Sequence, residues 1–420
     1  MQVDMEDTGL RKKLQVRAFA LTWFSYGSYY LTRKNFAVVK SRLNEDLGVS
    51  MTTLGHIDTV YLATYAVGQF LNGALGDRFG ARRIIGIGML ASGALAWWFA
   101  MSNTAVLFAV AFGLNGLFQS TGWPNNVKAM GAWFGREARG KVMGFWCTCY
   151  QVGGLVASAL ATFLLVHFGW RSAFMAPGVW VSSFGVVILL FLVERPRDRG
   201  LAPADESPVL DGSVVSTAPK VGFLQVLRIP AVWALGGSYF GLKLIRYSLL
   251  FWLPYYLTKK LGYDEGVAGY MSTAFEAGGI IGAIVTGWLS DRYFTKRRMR
   301  LVVPNLMILA AALALYGLIG DLGIYVNLVS MAACGFLLFG PDALISGAAA
   351  QDVGGPGATG SAAGIINGMG SIGAILQGVL TTYVSQAYGW DTLFYVFVVV
   401  AIVSALILAP LAFRRATGGS

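Results

Sequence analysis

Apolar runs of roughly 20 residues recur along the whole chain, each long enough to cross the ~30 Å hydrocarbon core of a bilayer as a helix. Runs and breaks place twelve candidate spans near residues 14–39, 52–75, 84–101, 104–127, 138–166, 171–193, 230–257, 267–289, 301–319, 323–348, 359–387 and 392–413. Several exceed the minimum length, which tilt absorbs. In lipid every backbone N–H and C=O must bond within the protein, so runs of this length specify helices. Of the 420 residues 56% are hydrophobic and only 13% charged. A water-soluble domain carries about twice that charged share. The expected fold class is therefore an all-α membrane protein of twelve transmembrane helices. The first residues are polar and acid-bearing, with no short apolar stretch leading to a cleavage site. No signal peptide is expected, and the first span serves as its own insertion signal.

The net charge of +11 is not a nucleic-acid footprint, because 22 of the 32 basic residues fall in alternate loops. One set holds Arg11, Lys12, Lys13, Arg17, Arg78, Arg82, Arg83, Arg136, Arg139 and Lys141, then continues through Arg195–Arg228 and Arg292–Arg300 to Arg414 and Arg415. The intervening loops hold Lys40, Arg42, Arg171, Lys259 and Lys260. The positive-inside rule then puts both termini in the cytoplasm of a multi-pass protein, with a bacterial inner membrane as the expected location. Cys147, Cys149 and Cys334 lie in apolar spans without metal-ligand spacing and read as packing residues. His56 and His167 sit at outer span ends. No cofactor, metal or enzyme chemistry is expected, since no nucleophile–base or metal set appears.

The chain divides in two. Residues 194–229 form the one long polar stretch, read as a cytoplasmic linker between six-helix bundles at 1–193 and 230–420. The halves share motifs. Gly73-Ala-Leu-Gly-Asp77-Arg78-Phe-Gly80-Ala-Arg82-Arg83 follows the second span, and Gly287-Trp-Leu-Ser-Asp291-Arg292 follows the eighth. Gly169-Trp170 and Gly389-Trp390 end the fifth and eleventh. The Asp-Arg loop resembles the signature loop of the major facilitator superfamily, which implies that fold and a rigid-body gate. Asp77, Arg78, Asp291 and Arg292 are its expected gating residues, pairing with cations or helix N-termini in one state and releasing them in the other. Gly86-Ile-Gly88 and Gly354-Gly355-Pro356-Gly357 are not phosphate loops, since neither follows a strand and no Gly-Lys-Ser/Thr is present. Gly360, Gly364 and Gly368 share one helix face and are expected to allow close helix contact.

Ionisable groups inside spans cost about 2.5–3.5 kcal/mol each at mid-bilayer, so each demands a reason. Arg33 and Lys34 lie in the first span, and Lys243 and Arg246 lie in the seventh. Arg33 precedes Asp77 by 44 residues and Arg246 precedes Asp291 by 45, so the two arginines occupy equivalent positions. Pseudo-symmetry of the halves would bring them to one central cavity, where two guanidinium forks suit a dianion. Lys243 and Arg246, at i and i+3, share a helix face. Glu276 and Asp342 are the acids expected beside them, leaving net attraction for an anion. Tyr26, Tyr29, Tyr30, Trp123 and Tyr150 line the same helices, and packing explains most of them.

Tyr30-Leu-Thr-Arg33-Lys34-Asn35-Phe36 resembles the first-helix motif of the organophosphate:phosphate antiporters. So do Phe118-Gln119-Ser-Thr-Gly-Trp123-Pro124, Arg246-Tyr-Ser-Leu-Leu-Phe-Trp252-Leu-Pro254 and Phe339-Gly340-Pro341. The resemblance implies exchange of a phosphorylated organic anion for inorganic phosphate. Arg33 and Arg246 would hold the phosphoryl group, and Lys34, Tyr30, Gln119, Trp123, Tyr150 and Lys243 would lie around it. Tyr150 stands where the bacterial glycerol-3-phosphate carriers have histidine, and Lys243 where they have tyrosine; Asp342 is an acid foreign to their pattern. Proton-coupled symport of organic carboxylates, with Glu276 or Asp342 carrying the proton, stays open, as does a transporter-like sugar-phosphate sensor. A monomer in the lipid bilayer is expected. The gate reading predicts that Asp77→Asn leaves substrate binding intact and slows transport, checked by comparing equilibrium binding with uptake in proteoliposomes. Equal loss of both would assign Asp77 to folding.

Overall fold

Glycine and proline punctuate a chain that is otherwise helical. The computed structural model describes residues 2–134, 142–143, 145–202, 223–294 and 297–413. Two compact units emerge: Met1–Val49 with Val60–Val215, and Ser50–Thr59 with Ser216–Ser420. The first contains α1 (Gln2–Tyr29), α2 (Asn35–Leu47), most of α3 (Met51–Phe79), α4 (Ala81–Met101), α5 (Ala105–Gln119), α6 (Gly122–Trp133), α7 (Thr148–Phe168) and α8 (Ser172–Phe191). The second contains α9 (Pro230–Lys259), α10 (Glu265–Tyr293), α11 (Met299–Ile319), α12 (Ile324–Ala343), a wide turn at Leu344–Ala349, α13 (Ala350–Tyr388) and α14 (Trp390–Phe413). No strand occurs among the described residues. Much of the linker expected at 194–229 lies outside them, at 203–222.

Nine helices among the described residues are long and apolar enough to cross a membrane. Their flanks expose large apolar side chains, including Leu190 at 66%, Leu318 at 67% and Phe413 at 73%. Only lipid suits such a surface. The expected first span is not one continuous helix. It breaks at a 3-10 turn, Tyr30–Thr32, after which the backbone N–H groups of Arg33 and Lys34 both bond the Tyr30 carbonyl.

Within each unit, glycines let helix backbones meet. In the first, an added Cβ at Gly93 on α4 would fall on the Gly178 carbonyl of α8, and one at Gly153 on α7 would lie 2.6 Å from the Gly27 carbonyl of α1. In the second, Cβ atoms at Gly278 and Gly282 on α10 would strike the carbonyls of Ala332 and Phe336 on α12, and one at Gly373 on α13 that of Phe240 on α9. Without a hydrophobic drive between helices in lipid, this close approach supplies the packing energy. Of the expected face, Gly360 lies outside the residues whose surroundings are described, and a Cβ added at Gly364 or Gly368 would meet nothing within 4 Å. Contact on α13 falls instead at Gly370, Gly373 and Gly378, where the α9 side and residues 50–59 crowd it. The paired Gly-Trp corners match in backbone: Gly169 after α7 has φ +81° and Gly389 after α13 has φ +86°. Both end a helix with a conformation that other residues rarely adopt.

An overpacked core costs about 1–3 kcal/mol. Gly335→Ala, whose Cβ would land on the Phe275 carbonyl, is therefore expected to lower by several degrees the temperature at which detergent-purified protein loses its monodisperse form. Gly287→Ala on α10, where an added Cβ meets nothing within 4 Å, should leave it unchanged.

Candidate functional site

The helix break at Tyr30–Thr32 shapes the candidate site of the first unit. A broken helix frees carbonyls that lipid cannot satisfy, so side chains must bond them. Asn115 on α5 donates its amide to the Thr32 carbonyl at 2.9 Å. Gln119, one turn on, donates Nε2 to Thr32 Oγ1 at 2.9 Å. Ser92 on α4 closes the network, donating to Asn115 Oδ1 at 2.6 Å. The free face of Gln119, Oε1, accepts from Tyr61 at 2.8 Å and from Arg33 Nε at 3.0 Å. The break thus holds Arg33 in one orientation. Its guanidinium lies 4.6 Å from the Tyr30 ring, 4.7 Å from Tyr65 and 5.9 Å from Tyr61, as cation–π attraction favours.

Arg33 is 7% exposed, and its Nη2 is buried without a hydrogen-bond partner. Among the described residues no carboxylate pairs with it: a fixed positive charge, held by neutral groups, with a donor to spare. Lys34 is 4% exposed, too deep to have snorkelled to an interface. Trp123 packs on Tyr26, Trp146 and Tyr150 with ring centroids 5.3, 5.6 and 6.3 Å apart. Tyr29 is a packing residue, fully buried with its hydroxyl bonded to Thr121 and the Ile85 carbonyl.

The second unit presents a different arrangement. Lys243 and Arg246 are half-buried on α9. Arg246 donates Nη1 to Asp342 Oδ2 at 2.7 Å, and its guanidinium lies 4.2 Å from the Phe339 ring. Lys243 places its ammonium 4.9 Å from the Tyr239 ring. Asp342 follows Pro341 at the end of α12, just before the wide turn whose Ser346 donates to the Asp342 carbonyl at 2.7 Å. Proline removes a helix donor and the wide turn adds a residue, a combination frequent at functional sites. Of the two expected acids, Asp342 therefore serves Arg246, and Glu276 is buried on α10 at 7% exposure.

A family model for the major facilitator superfamily matches residues 22–378. The chain belongs to the major facilitator superfamily. It is 33% identical to a putative glycerol-3-phosphate transporter 5 of Arabidopsis thaliana, over 95% of this chain and 91% of that one. It is 32% identical to the glucose-6-phosphate exchanger SLC37A2 of Danio rerio, over 95% and 92%, and 31% identical to the human sugar phosphate exchanger 3, over 95% and 93%. These relatives bear out the resemblance to organophosphate antiporters carried by the local motifs. Among solved structures, an inward-facing, occupied bacterial homologue of the human lysosomal transporter Spinster matches with a TM-score of 0.78 at 14% identity, over 94% of this chain and 96% of that one. At that identity the likeness establishes the fold alone.

In this facilitator the two signature loops are unequally resolved into contacts. The Asp77 side chain lies outside the described residues. Arg78 is exposed, its guanidinium 5.2 Å from the Phe79 ring. Asp291 accepts from Arg298 Nη1 at 2.7 Å, and the same arginine reaches Asp352 at 3.0 Å. Arg292 lies 5.5 Å from both the Trp288 and Tyr293 rings. Among the described residues two buried charged side chains are not among those expected from the sequence. Lys40, assigned to an outer loop, is fully buried on α2, and Asp58 on α3 is 1% exposed. Asp58 is an acid inside an apolar run and was findable by the rule that singled out Arg33. Lys40 is betrayed only by Phe36–Val39, the apolar residues before it.

Gln119 engages both ends of its amide with protein groups, Oε1 accepting from Arg33 and Tyr61 and Nε2 donating to Thr32. Gln119→Leu is expected to raise the half-saturation concentration for phosphate about tenfold, the loss of roughly one charge-assisted hydrogen bond. The maximal exchange rate should fall less, as read by saturation kinetics in proteoliposomes.

Proposed function

We propose that this chain is an alternating-access antiporter exchanging a phosphorylated organic anion for inorganic phosphate, with Arg33 and Arg246 binding phosphoryl oxygens. The observation that carries this reading is the Arg33 guanidinium: buried, clamped by a glutamine and three tyrosines, and among the described residues with no acid on it and Nη2 unpartnered. A cation in that setting is stabilised by an anion that arrives from outside, and a planar fork with spare donors matches phosphate oxygens. The relatives named glycerol-3-phosphate transporter, glucose-6-phosphate exchanger and sugar phosphate exchanger support the substrate class. Lys34 and Lys243 add positive potential. Tyr30, Trp123 and Tyr150 offer aromatic faces to the organic part.

The finer organisation follows the same reading: twelve spans in bundles at 1–193 and 230–420, residues 194–229 and both termini on the cytoplasmic side of a bacterial inner membrane, and a monomeric carrier. Asp77, Arg78, Asp291 and Arg292 act at the cytoplasmic gate. The test is labelled-phosphate exchange in proteoliposomes against phosphorylated counter-substrates, with Arg33→Lys and Arg246→Lys variants that insert normally. Lysine keeps the charge and loses the bidentate fork, so each variant should lose about 100-fold in exchange, a cost of two charge-assisted hydrogen bonds. Near wild-type exchange by both would make these arginines structural. Proton uptake coupled to carboxylate entry, with no phosphate exchange, would establish the symport alternative instead.

A further inference from the structure

We infer that Asp342 is a resident anion of the phosphate site, which a phosphoryl group must displace from Arg246 and which thereby excludes singly charged carboxylates. The inference rests on the reading of Arg246 as a phosphate-binding residue. Its basis is the contrast between the two arginines. Among the described residues Arg33 is held by neutral groups alone, whereas Arg246 carries the Asp342 carboxylate at 2.7 Å, the Arg246 and Asp342 side chains being 14% and 9% exposed.

Asp342 is a poor candidate for a purely structural pair. A buried carboxylate retained for stability has both oxygens satisfied, because an unsatisfied one carries its full desolvation cost. Here Oδ2 bonds Arg246, while Oδ1 is buried with no partner. A second cation lies on the same helix as Arg246. Lys243 lies one helical turn before Arg246 and rests over the Tyr239 ring, forming no ion pair among the described residues. Gly370, where a Cβ would come within 3.0 Å of Lys243 Cδ, keeps α13 clear of the lysine stem.

These positions permit an exchange of partners. In the first arrangement Asp342 neutralises Arg246. When a phosphoryl dianion takes Arg246, the carboxylate is released to Lys243. The three protein charges stay the same throughout, and no proton enters or leaves. A singly charged carboxylate offers Arg246 nothing beyond what Asp342 already supplies, so it does not displace it. A phosphate dianion offers twice the charge and a third oxygen, and it does. Asp342 is on this account a specificity-determining residue, acting by competition.

The test is calorimetric binding of inorganic phosphate to the full chain in lipid nanodiscs. Asp342→Asn removes the competitor, so phosphate should bind about 5- to 10-fold more tightly, a competing exposed-to-buried ion pair converted through the affinity scale. Glycerate, ineffective against labelled phosphate on the wild type, should displace it from the variant. Unchanged or weaker phosphate binding by Asp342→Asn would overturn the inference and make Asp342 a residue that orients Arg246. On the wild type alone, phosphate should shift a carboxylate band in the infrared difference spectrum, and the shift should persist in Glu276→Gln. A wild-type spectrum in which phosphate binds and no carboxylate band moves would overturn it equally. Failure of the wild type to bind phosphate at all is a separate result: it would overturn the phosphate reading, and this inference with it.

Discussion

A positive charge removed from water must be met by something, and around that constraint the rest of this structure is arranged. Hydrocarbon offers neither hydrogen bonds nor counter-ions, so each polar group in a span is satisfied by the protein or by what the protein binds. At Arg33 the described residues supply a glutamine oxygen and tyrosine rings but no negative charge. At Arg246 it supplies one in Asp342. The first arginine stands open to an anion, and the second already holds one.

The backbone obeys the same constraint. The break at Tyr30–Thr32 would be intolerable against lipid, yet α5 sends Asn115 and Gln119 to it, and those two amides also aim Arg33. Helix geometry and ligand geometry are therefore one network on the first unit. On the second, Pro341 and the wide turn at Leu344–Ala349 perturb α12 beside Asp342. Glycine contacts carry the remaining structure, α4 on α8 and α10 on α12, where side chains would hold the backbones apart. Irregular backbone occurs where chemistry is expected, and close regular packing elsewhere.

Much of this was legible in the chain itself, and the reasons differ from residue to residue. Arg33, Lys34, Lys243 and Arg246 were legible because a charge in an apolar run is costly wherever the run goes. The internal repeat was legible because Gly169 and Gly389 need the same backbone conformation. The break in the first span was not, since no proline or glycine lies at Tyr30–Thr32. The bonds that stabilise it come from α5, about 85 residues away in the chain. Lys40 was misplaced because a lysine near a span end reads the same whether it meets water or is enclosed.

Composition and periodicity by themselves determined the membrane class and the helical architecture, because lipid imposes those on any chain with such runs. Local motifs determined the family. Tertiary structure alone decided which neighbour each buried charge meets: that Gln119 and three tyrosines embrace Arg33, that Asp342 chooses Arg246 over Lys243, and that α13 meets its neighbours at Gly370 and Gly373 rather than at Gly364 and Gly368. Cost is a property of the residue in its run and can be read along the chain. Compensation is a property of distance, and distances between helices are settled only when their backbones pack.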